Sequence, residues 1–144
     1  MPVAVAALSL LLSENLVSSP LPPDLLDAGV ERAFLVGHSM GTPVARQCWR
    51  KYPAKTLGIA AVDLAIWKDD PIKAPLLVLV AKSPMWSADY FAYVKTLNPD
   101  AKIVEIAGAG HFVMLERPAE VNAALVAFAA KAGAIPKPSP APAP

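Results

Sequence analysis

Residues 33–41 read Ala-Phe-Leu-Val-Gly-His-Ser-Met-Gly, a short apolar run that leads into the pattern Gly-x-Ser-x-Gly. The pattern predicts a strand over 33–36, a sharp turn at Ser39 and a helix directly after it. Gly37 and Gly41 flank the serine because a side chain at either position would collide with the neighbouring strand or helix. Such a turn exposes the serine hydroxyl on a strained backbone, which is the geometry that a serine nucleophile needs.

The rest of the chain alternates strand and helix signals around this turn. Three helices are predicted, over Thr42 to Tyr52, from Ser87 as N-cap to Leu97, and from Pro118 to about Gly133. Four short apolar runs have the character of buried parallel strands, at residues 33–37, 57–62, 76–81 and 102–106. This alternation predicts an α/β fold, a parallel sheet flanked by helices.

The composition is that of one small domain. Its 144 residues are 55% hydrophobic and 17% charged, with a formal net charge of +1. Without basic clusters there is no electrostatic reason for the chain to bind nucleic acid. Two histidines without a Cys/His cluster argue against a zinc site, so we expect no metal. The single cysteine, Cys48, excludes an internal disulfide and fits a cytoplasmic protein, or a secreted one that needs no disulfide.

The two ends of the chain differ from its middle. The apolar run over 3–12 is too short to span a bilayer and lacks the basic residues of a signal peptide, so we expect a buried helix or strand. Residues 135–144 alternate proline with Ala, Ser and Lys and predict a disordered tail. The expected organisation is an apolar N-terminal segment (1–28), a core (29–132) and a Pro-rich tail (133–144).

A second motif follows the last predicted strand, where residues 108–118 read Gly-Ala-Gly-His-Phe-Val-Met-Leu-Glu-Arg-Pro. A glycine-rich turn at the carboxyl end of a parallel strand would project His111 over the same sheet edge as Ser39. The two would form a nucleophile–base pair in which His111 takes the hydroxyl proton and later gives it to the leaving group. The alternative is a turn histidine bonded to the backbone, but the serine turn upstream favours the catalytic interpretation.

These motifs resemble the α/β-hydrolase superfamily. Gly-His-Ser-Met-Gly at 37–41, followed by Arg-Lys-Tyr-Pro at 50–53 and by Val62-Asp63, is similar to the family's serine turn, next helix and following strand. Residues 108–118 look like its histidine turn and closing helix. The resemblance covers about 29–131 and implies hydrolysis of esters or related acyl bonds through an acyl-enzyme, without a cofactor.

The resemblance also implies an acid that orients the histidine. Family enzymes usually place it after the strand that here is 76–81, where this chain has no Asp or Glu. Some relatives place it one strand earlier, where this chain has Asp63, so Asp63 is the candidate to hold His111. The alternative for Asp63 is a strand-end aspartate that caps a turn. Asp89 fits a helix N-terminus better than the site, and Glu116 fits support of the closing helix.

The remaining parts of the site are only partly visible. The backbone N–H of Met40 is the expected oxyanion donor, whereas the His-Gly-type motif that normally supplies a second donor is absent upstream. Aromatic and Met residues are more often simply core, but we consider a set of side chains that would line an apolar acyl pocket. That set consists of His38, Trp67, Met85, Trp86 and Phe112.

The chain departs from the family pattern in two places. The family's first strands have no expected counterpart in 1–28, and the connection from Leu64 to Ala74 is too short for a cap domain. The predicted fold is therefore a partial α/β-hydrolase fold that lacks the N-terminal strands and the cap. The strand over 33–37 would have an open flank, which predicts a homo-oligomer formed through that exposed edge or through the apolar N-terminus.

Two functions stay open at this point. The first is a serine hydrolase that cleaves small carboxylic esters with Ser39 as nucleophile, His111 as base and Asp63 as its orienting acid. The second is a truncated, catalytically weak or inactive relic that acts as a binding module. Acyl transfer, perhydrolysis and lactone opening by the same nucleophile are not distinguished by the sequence.

Overall fold

The computed structural model describes residues 3–8, 31–66 and 70–133. For residues 3–8 only the backbone is described. Outside the described residues lie Trp67, residues 134–144 of the predicted Pro-rich tail (133–144), and the N-terminal segment apart from 3–8.

Five parallel strands form one sheet in the order β1-β2-β3-β4-β5. Their bounds are Val3–Leu8, Arg32–His38, Thr56–Val62, Leu76–Ala81 and Lys102–Ile106. Since every pairing is parallel, all the strands end along one side of the sheet, which we call the carboxyl edge. The four strands predicted from apolar runs are confirmed as β2 to β5, each to within one residue at either end.

One strand precedes the serine turn. The apolar run at the start of the chain forms β1, which pairs with β2 in a register that sets Val3 opposite Arg32 and Leu8 opposite Gly37. It occupies the flank of β2 that was expected to be open, and among the described strands it is the outermost on that side of the sheet.

Four helices cover the sheet, α1 Gly41–Lys51, α2 Ala88–Leu97, α3 Val113–Glu116 and α4 Pro118–Lys131, with a short 3₁₀ turn at Pro53–Lys55. The apolar sides of α1 and α2 pack on one face of the sheet, and those of α3 and α4 pack on the other. The Ser87 hydroxyl accepts a hydrogen bond from Tyr90 N at 3.2 Å, which confirms it as the N-cap of α2. No helix in the described parts of the chain has the length and hydrophobicity needed to cross a membrane.

The middle strands explain the uninterrupted apolar runs in the sequence. Every residue of β3 and β4 is buried, because helices cover both faces of the sheet there. By contrast β5 lies at an edge of the sheet, and its Lys102 and Glu105 are exposed.

The connection between β3 and β4 is short and held against α2. Its described residues, 63–66 and 70–75, contain no helix or strand. Asn98, at the end of α2, donates from Nδ2 to the carbonyl oxygens of Ile72 and Ala74, both at 2.9 Å. Ile72 N in turn donates to Leu97 O at 2.9 Å.

Candidate active site

The serine turn lies where β2 meets α1. Ser39 has φ 48°, a conformation that L-residues rarely adopt, and its N–H donates to Val62 O at 2.9 Å. A Cβ on Gly37 would collide with the backbone carbonyl of Gly41, so only glycine allows the helix to start this close to the strand. Thr42, fully buried, donates from Oγ1 to Gly37 O at 2.9 Å. The strained Ser39 backbone is therefore held from two sides.

Asp63 occupies the matching position on the neighbouring strand, directly after β3. It also has φ 48°, and Ser39 and Asp63 are the two non-glycine residues with positive φ in the described parts of the chain. Its carboxylate is buried, and Oδ1 accepts a hydrogen bond from Ala81 N at 2.9 Å at the end of β4. Asp63 N donates to Leu79 O at 2.8 Å. The carboxylate is thus fixed by the strand beside it.

His111 lies in the turn between β5 and α3 and meets this carboxylate. Its Nδ1 is 2.7 Å from Asp63 Oδ2, and its side chain remains 47% exposed. Because Nδ1–H is the group that faces the carboxylate, Nε2 is the basic nitrogen of the neutral ring. The turn thus presents an oriented imidazole to solvent at the carboxyl edge.

His38 links the histidine turn to the serine turn. Its Nε2 lies 2.9 Å from the carbonyl oxygen of His111, and since a carbonyl only accepts, His38 Nε2–H donates. The two imidazole centroids are 4.8 Å apart, and the Phe112 ring is 5.7 Å from His38. This contact brings the loops that carry Ser39 and His111 side by side.

The hydroxyl of Ser39 makes no hydrogen bond with any residue in the described ranges. Nucleophile–base hydrogen bonds are often long in enzymes without substrate and shorten when substrate binds. The backbone N–H of Met40 likewise makes no hydrogen bond within those ranges, and Met40 is the N-cap of α1.

Two further side chains brace the histidine turn. Both carboxylate oxygens of Glu116 accept from Gly110 N, at 3.2 and 3.1 Å, so Glu116 supports the turn itself and not the closing helix. Arg117 Nε donates to Gly108 O at 3.1 Å, and Gly108 has φ 68°. Sequence reasoning missed the roles of His38 and Glu116, although both residues belong to the two motifs that it identified.

The residues proposed to line a pocket divide into two groups. Met85 and Phe112 are exposed at the carboxyl edge, by 70% and 56%, as is Met40 beside Ser39, by 55%. Trp86, by contrast, is only 8% exposed and packs in the core with its ring centroid 5.3 Å from that of Tyr90. Asp89 is exposed in the first turn of α2, as the sequence favoured.

The described residues offer no set of side chains that could ligate a metal ion. No group of three or more His, Cys, Asp or Glu side chains comes together there in a way that would hold a metal ion. The groups that the carboxyl edge brings together are the Ser39 hydroxyl after β2, the Asp63 carboxylate after β3 and the His111 imidazole after β5.

Similarity to known proteins agrees with this architecture. The chain resembles in structure an esterase from a marine microorganism (TM-score 0.63, 15% identity, 72% of each chain covered). It also resembles a thermophilic esterase (TM-score 0.61, 21% identity, 76% of this chain and 70% of the other). A third similar structure is that of a predicted CIB-like hydrolase from Thermoplasma acidophilum (TM-score 0.62, 23% identity). The match covers 73% of this chain and 54% of the hydrolase. At these identities the likeness concerns the fold.

A search of curated protein sequences finds no match. A family model, however, matches residues 44–124, more than half of the chain, and this range contains Asp63 and His111. The protein belongs to the alpha/beta hydrolase family.

Proposed function

We propose that this protein is a serine hydrolase that cleaves carboxylic esters through an acyl-enzyme, with Ser39 as nucleophile, His111 as base and Asp63 as the acid that orients His111. The observation that carries the proposal is the 2.7 Å contact between His111 Nδ1 and Asp63 Oδ2, beside a serine on a strained turn. This contact leaves His111 Nε2 as the proton acceptor at the edge where Ser39 lies.

In the first half-reaction, Ser39 Oγ attacks the ester carbonyl carbon while His111 Nε2 takes the hydroxyl proton. The tetrahedral intermediate then expels the alcohol, which receives that proton from His111, and the acyl group remains on Ser39. In the second half-reaction, His111 removes a proton from water, and the hydroxide attacks the acyl carbon. The acid is released and Ser39 regains its proton. The Asp63 carboxylate stabilises the imidazolium at both stages.

The oxyanion of each intermediate would be stabilised by the backbone N–H of Met40, which follows the nucleophile at the N-terminus of α1. Removing a single oxyanion donor from such enzymes costs about 10²–10³ in kcat. A site with one donor would therefore still catalyse measurably. The open carboxyl edge, with no cap among the described residues, supports small and accessible esters as substrates.

Hydrolysis of a short-chain activated ester tests this proposal. Ser39→Ala and His111→Ala should each reduce the rate to near the uncatalysed level, whereas Ser83→Ala should leave it unchanged. Ser83 is a matched control because it lies at the same edge, where its Oγ accepts a hydrogen bond from Met85 N. An unchanged rate in Ser39→Ala would refute the nucleophile.

The second candidate, a binding module without catalysis, predicts a different result with a serine-directed phosphonate probe. Labelling requires an activated hydroxyl, so covalent addition at Ser39 that disappears in His111→Ala supports the hydrolase. A folded chain that stays unlabelled would support the binding module instead.

We also propose that the protein forms a homo-oligomer through the outer edge of β1. That strand, Val-Ala-Val-Ala-Ala-Leu, has no charged residue and is the outermost of the described strands on its side of the sheet. Apolar edge strands favour pairing with another chain. Light scattering should detect a dimer or larger species, and a monomer at high protein concentration would contradict the proposal.

A further inference from the structure

Exposed large apolar side chains are concentrated at the carboxyl edge of the sheet. Five such side chains occur in the described residues, and four of them belong to this edge, namely Met40, Met85, Phe112 and Leu115, with exposures of 55%, 70%, 56% and 75%. The fifth, Val126, lies on α4. We call the four residues at the edge the apolar rim.

Three members of the apolar rim adjoin the proposed catalytic residues. Met40 directly follows Ser39, and Phe112 directly follows His111, with its ring centroid 5.4 Å from the imidazole. Leu115 lies one helical turn further on, where its N–H donates to Phe112 O at 2.8 Å. The apolar surface therefore borders the site on the sides of both motifs.

Met85 extends the apolar rim along the next loop. It follows β4 in residues 82–87, and the first residue of that loop, Lys82, donates its N–H to Ile106 O at 2.8 Å. Because Ile106 ends β5, the loop of Met85 begins beside the histidine turn. The loops after β2, β4 and β5 thus all present a large apolar side chain.

The loops that follow β4 and β5 at this edge carry few charged side chains. The loops over 82–87 and 107–117 carry Lys82, Arg117 and Glu116. Two of these are engaged within the histidine turn, Glu116 with Gly110 N and Arg117 with Gly108 O. These two described loops therefore offer apolar contact area without a cluster of cations that would select an anionic partner.

Single exposed apolar residues are common, but several together mark a binding surface. At 55–75% exposure these side chains do not enclose a pocket around one soluble molecule. A protein seated on the apolar rim would block access to Ser39. The surface of a lipid aggregate would instead bury the same side chains and bring ester groups to the nucleophile.

We propose that the apolar rim docks on the surface of an uncharged lipid aggregate, so that esters with long acyl chains at a lipid–water interface are hydrolysed in preference to the same ester group in solution. This substrate class rests on the hydrolase function proposed above. Flexible methionine side chains suit a surface that has no fixed shape.

Vesicle binding tests the docking step without turnover. The full chain carrying Ser39→Ala should co-float with phosphatidylcholine vesicles, and molar salt should weaken the binding little, since the contact is apolar. Adding Leu115→Ser, or Met85→Ser as a second variant, should lower the partition coefficient about tenfold, the effect expected from losing one partly buried large apolar side chain. Val126→Ser is the matched control and should bind like its parent.

Turnover then tests the substrate class. With Ser39 intact, the ratio of the rate on a long-acyl ester in mixed micelles to that on a soluble short-chain ester should fall about tenfold in Leu115→Ser. The same ratio should not change in Val126→Ser.

The outcomes separate the two proposals. Hydrolysis of the soluble ester without vesicle binding, or equal partitioning of all the variants, would overturn the docking and leave the hydrolase. Vesicle binding lost in Leu115→Ser and Met85→Ser, in a protein without esterase activity, would support the docking and refute the hydrolase. An oligomer that dissociates on Leu115→Ser would overturn the docking, because a second protein chain would then cover the apolar rim.

Discussion

Asp63 and His111 are 48 positions apart in the sequence, yet Oδ2 of one lies 2.7 Å from Nδ1 of the other. The other oxygen of the same carboxylate accepts a hydrogen bond from Ala81 N at 2.9 Å. Asp63 is thus aimed at the imidazole by the strand next to its own. The proposed acid thus follows β3, and the last residue of β4, Ala81, supplies the backbone donor that orients it.

Asp63→Asn should keep the fold and lose the chemistry. The amide oxygen can still accept from Ala81 N, but the side-chain NH₂ then faces His111, which favours the wrong tautomer. In a Ser-His-Asp triad this change lowers kcat by about 10⁴-fold. Steady-state kinetics with circular dichroism as a folding check measure it. Asp89→Asn, in the exposed first turn of α2, is the control, and a large loss there with none at Asp63 would contradict the assignment.

His38 should act by positioning His111. The 2.9 Å bond from His38 Nε2–H to His111 O is lost in His38→Leu, and we expect kcat to fall about tenfold with KM little changed, since a neutral hydrogen bond is worth about 1 kcal/mol. His38→Gln retains a donor at similar reach and should recover part of that loss. Equal kinetics for the two variants would show that the hydrogen bond has no positioning role.

Gly37→Ala should destabilise the protein and abolish ester hydrolysis together. The added Cβ would collide with the carbonyl of Gly41, a backbone group that cannot move aside, and such overpacking costs about 1–3 kcal/mol. Urea unfolding measures the change. Gly133→Ala meets no heavy atom within 4 Å, although its φ is 75°, so it should cost about 1 kcal/mol of stability without affecting the rate.

Cys48 should be a slow thiol. Burial on α1 raises the pKa of the Cys48 thiol, and the nearby Lys51 opposes this shift only in part. A raised pKa means less thiolate at neutral pH, so Ellman's reagent should react more slowly with the folded protein than with glutathione. Denaturant should remove the difference. Cys48→Ser should retain ester hydrolysis, and a loss of activity there would place the thiol in the mechanism.

Much of the architecture was predictable because local signals and tertiary packing agree. The fully buried β3 and β4 read as continuous apolar runs, and Ser87 has the side chain that its N-cap position requires. Ser39 and His111 could be identified because the glycines around each of them are typical of tight turns.

The links between the motifs were not predictable in the same way. The hydrogen bond between His38 and His111 joins residues 73 positions apart. Its acceptor is a backbone carbonyl, which every residue has, so the residue types do not predict it. Trp86 is a pocket candidate because it is aromatic, but it packs against Tyr90 in the core, which is the more common place for such residues. The sequence predicts at which edge of the sheet a residue lies. The direction of its side chain depends on neighbouring residues from other strands.

With Ser39 as the proposed nucleophile, its left-handed backbone conformation lowers the stability of the protein at the residue on which its reactivity would depend. Glycine adopts a φ of 48° freely, so Ser39→Gly would relieve strain of about 1 kcal/mol while deleting the only hydroxyl on the serine turn. Selection for heat resistance alone would thus favour an inert protein. A laboratory evolution campaign on this scaffold would have to screen for turnover in every round to keep its chemistry.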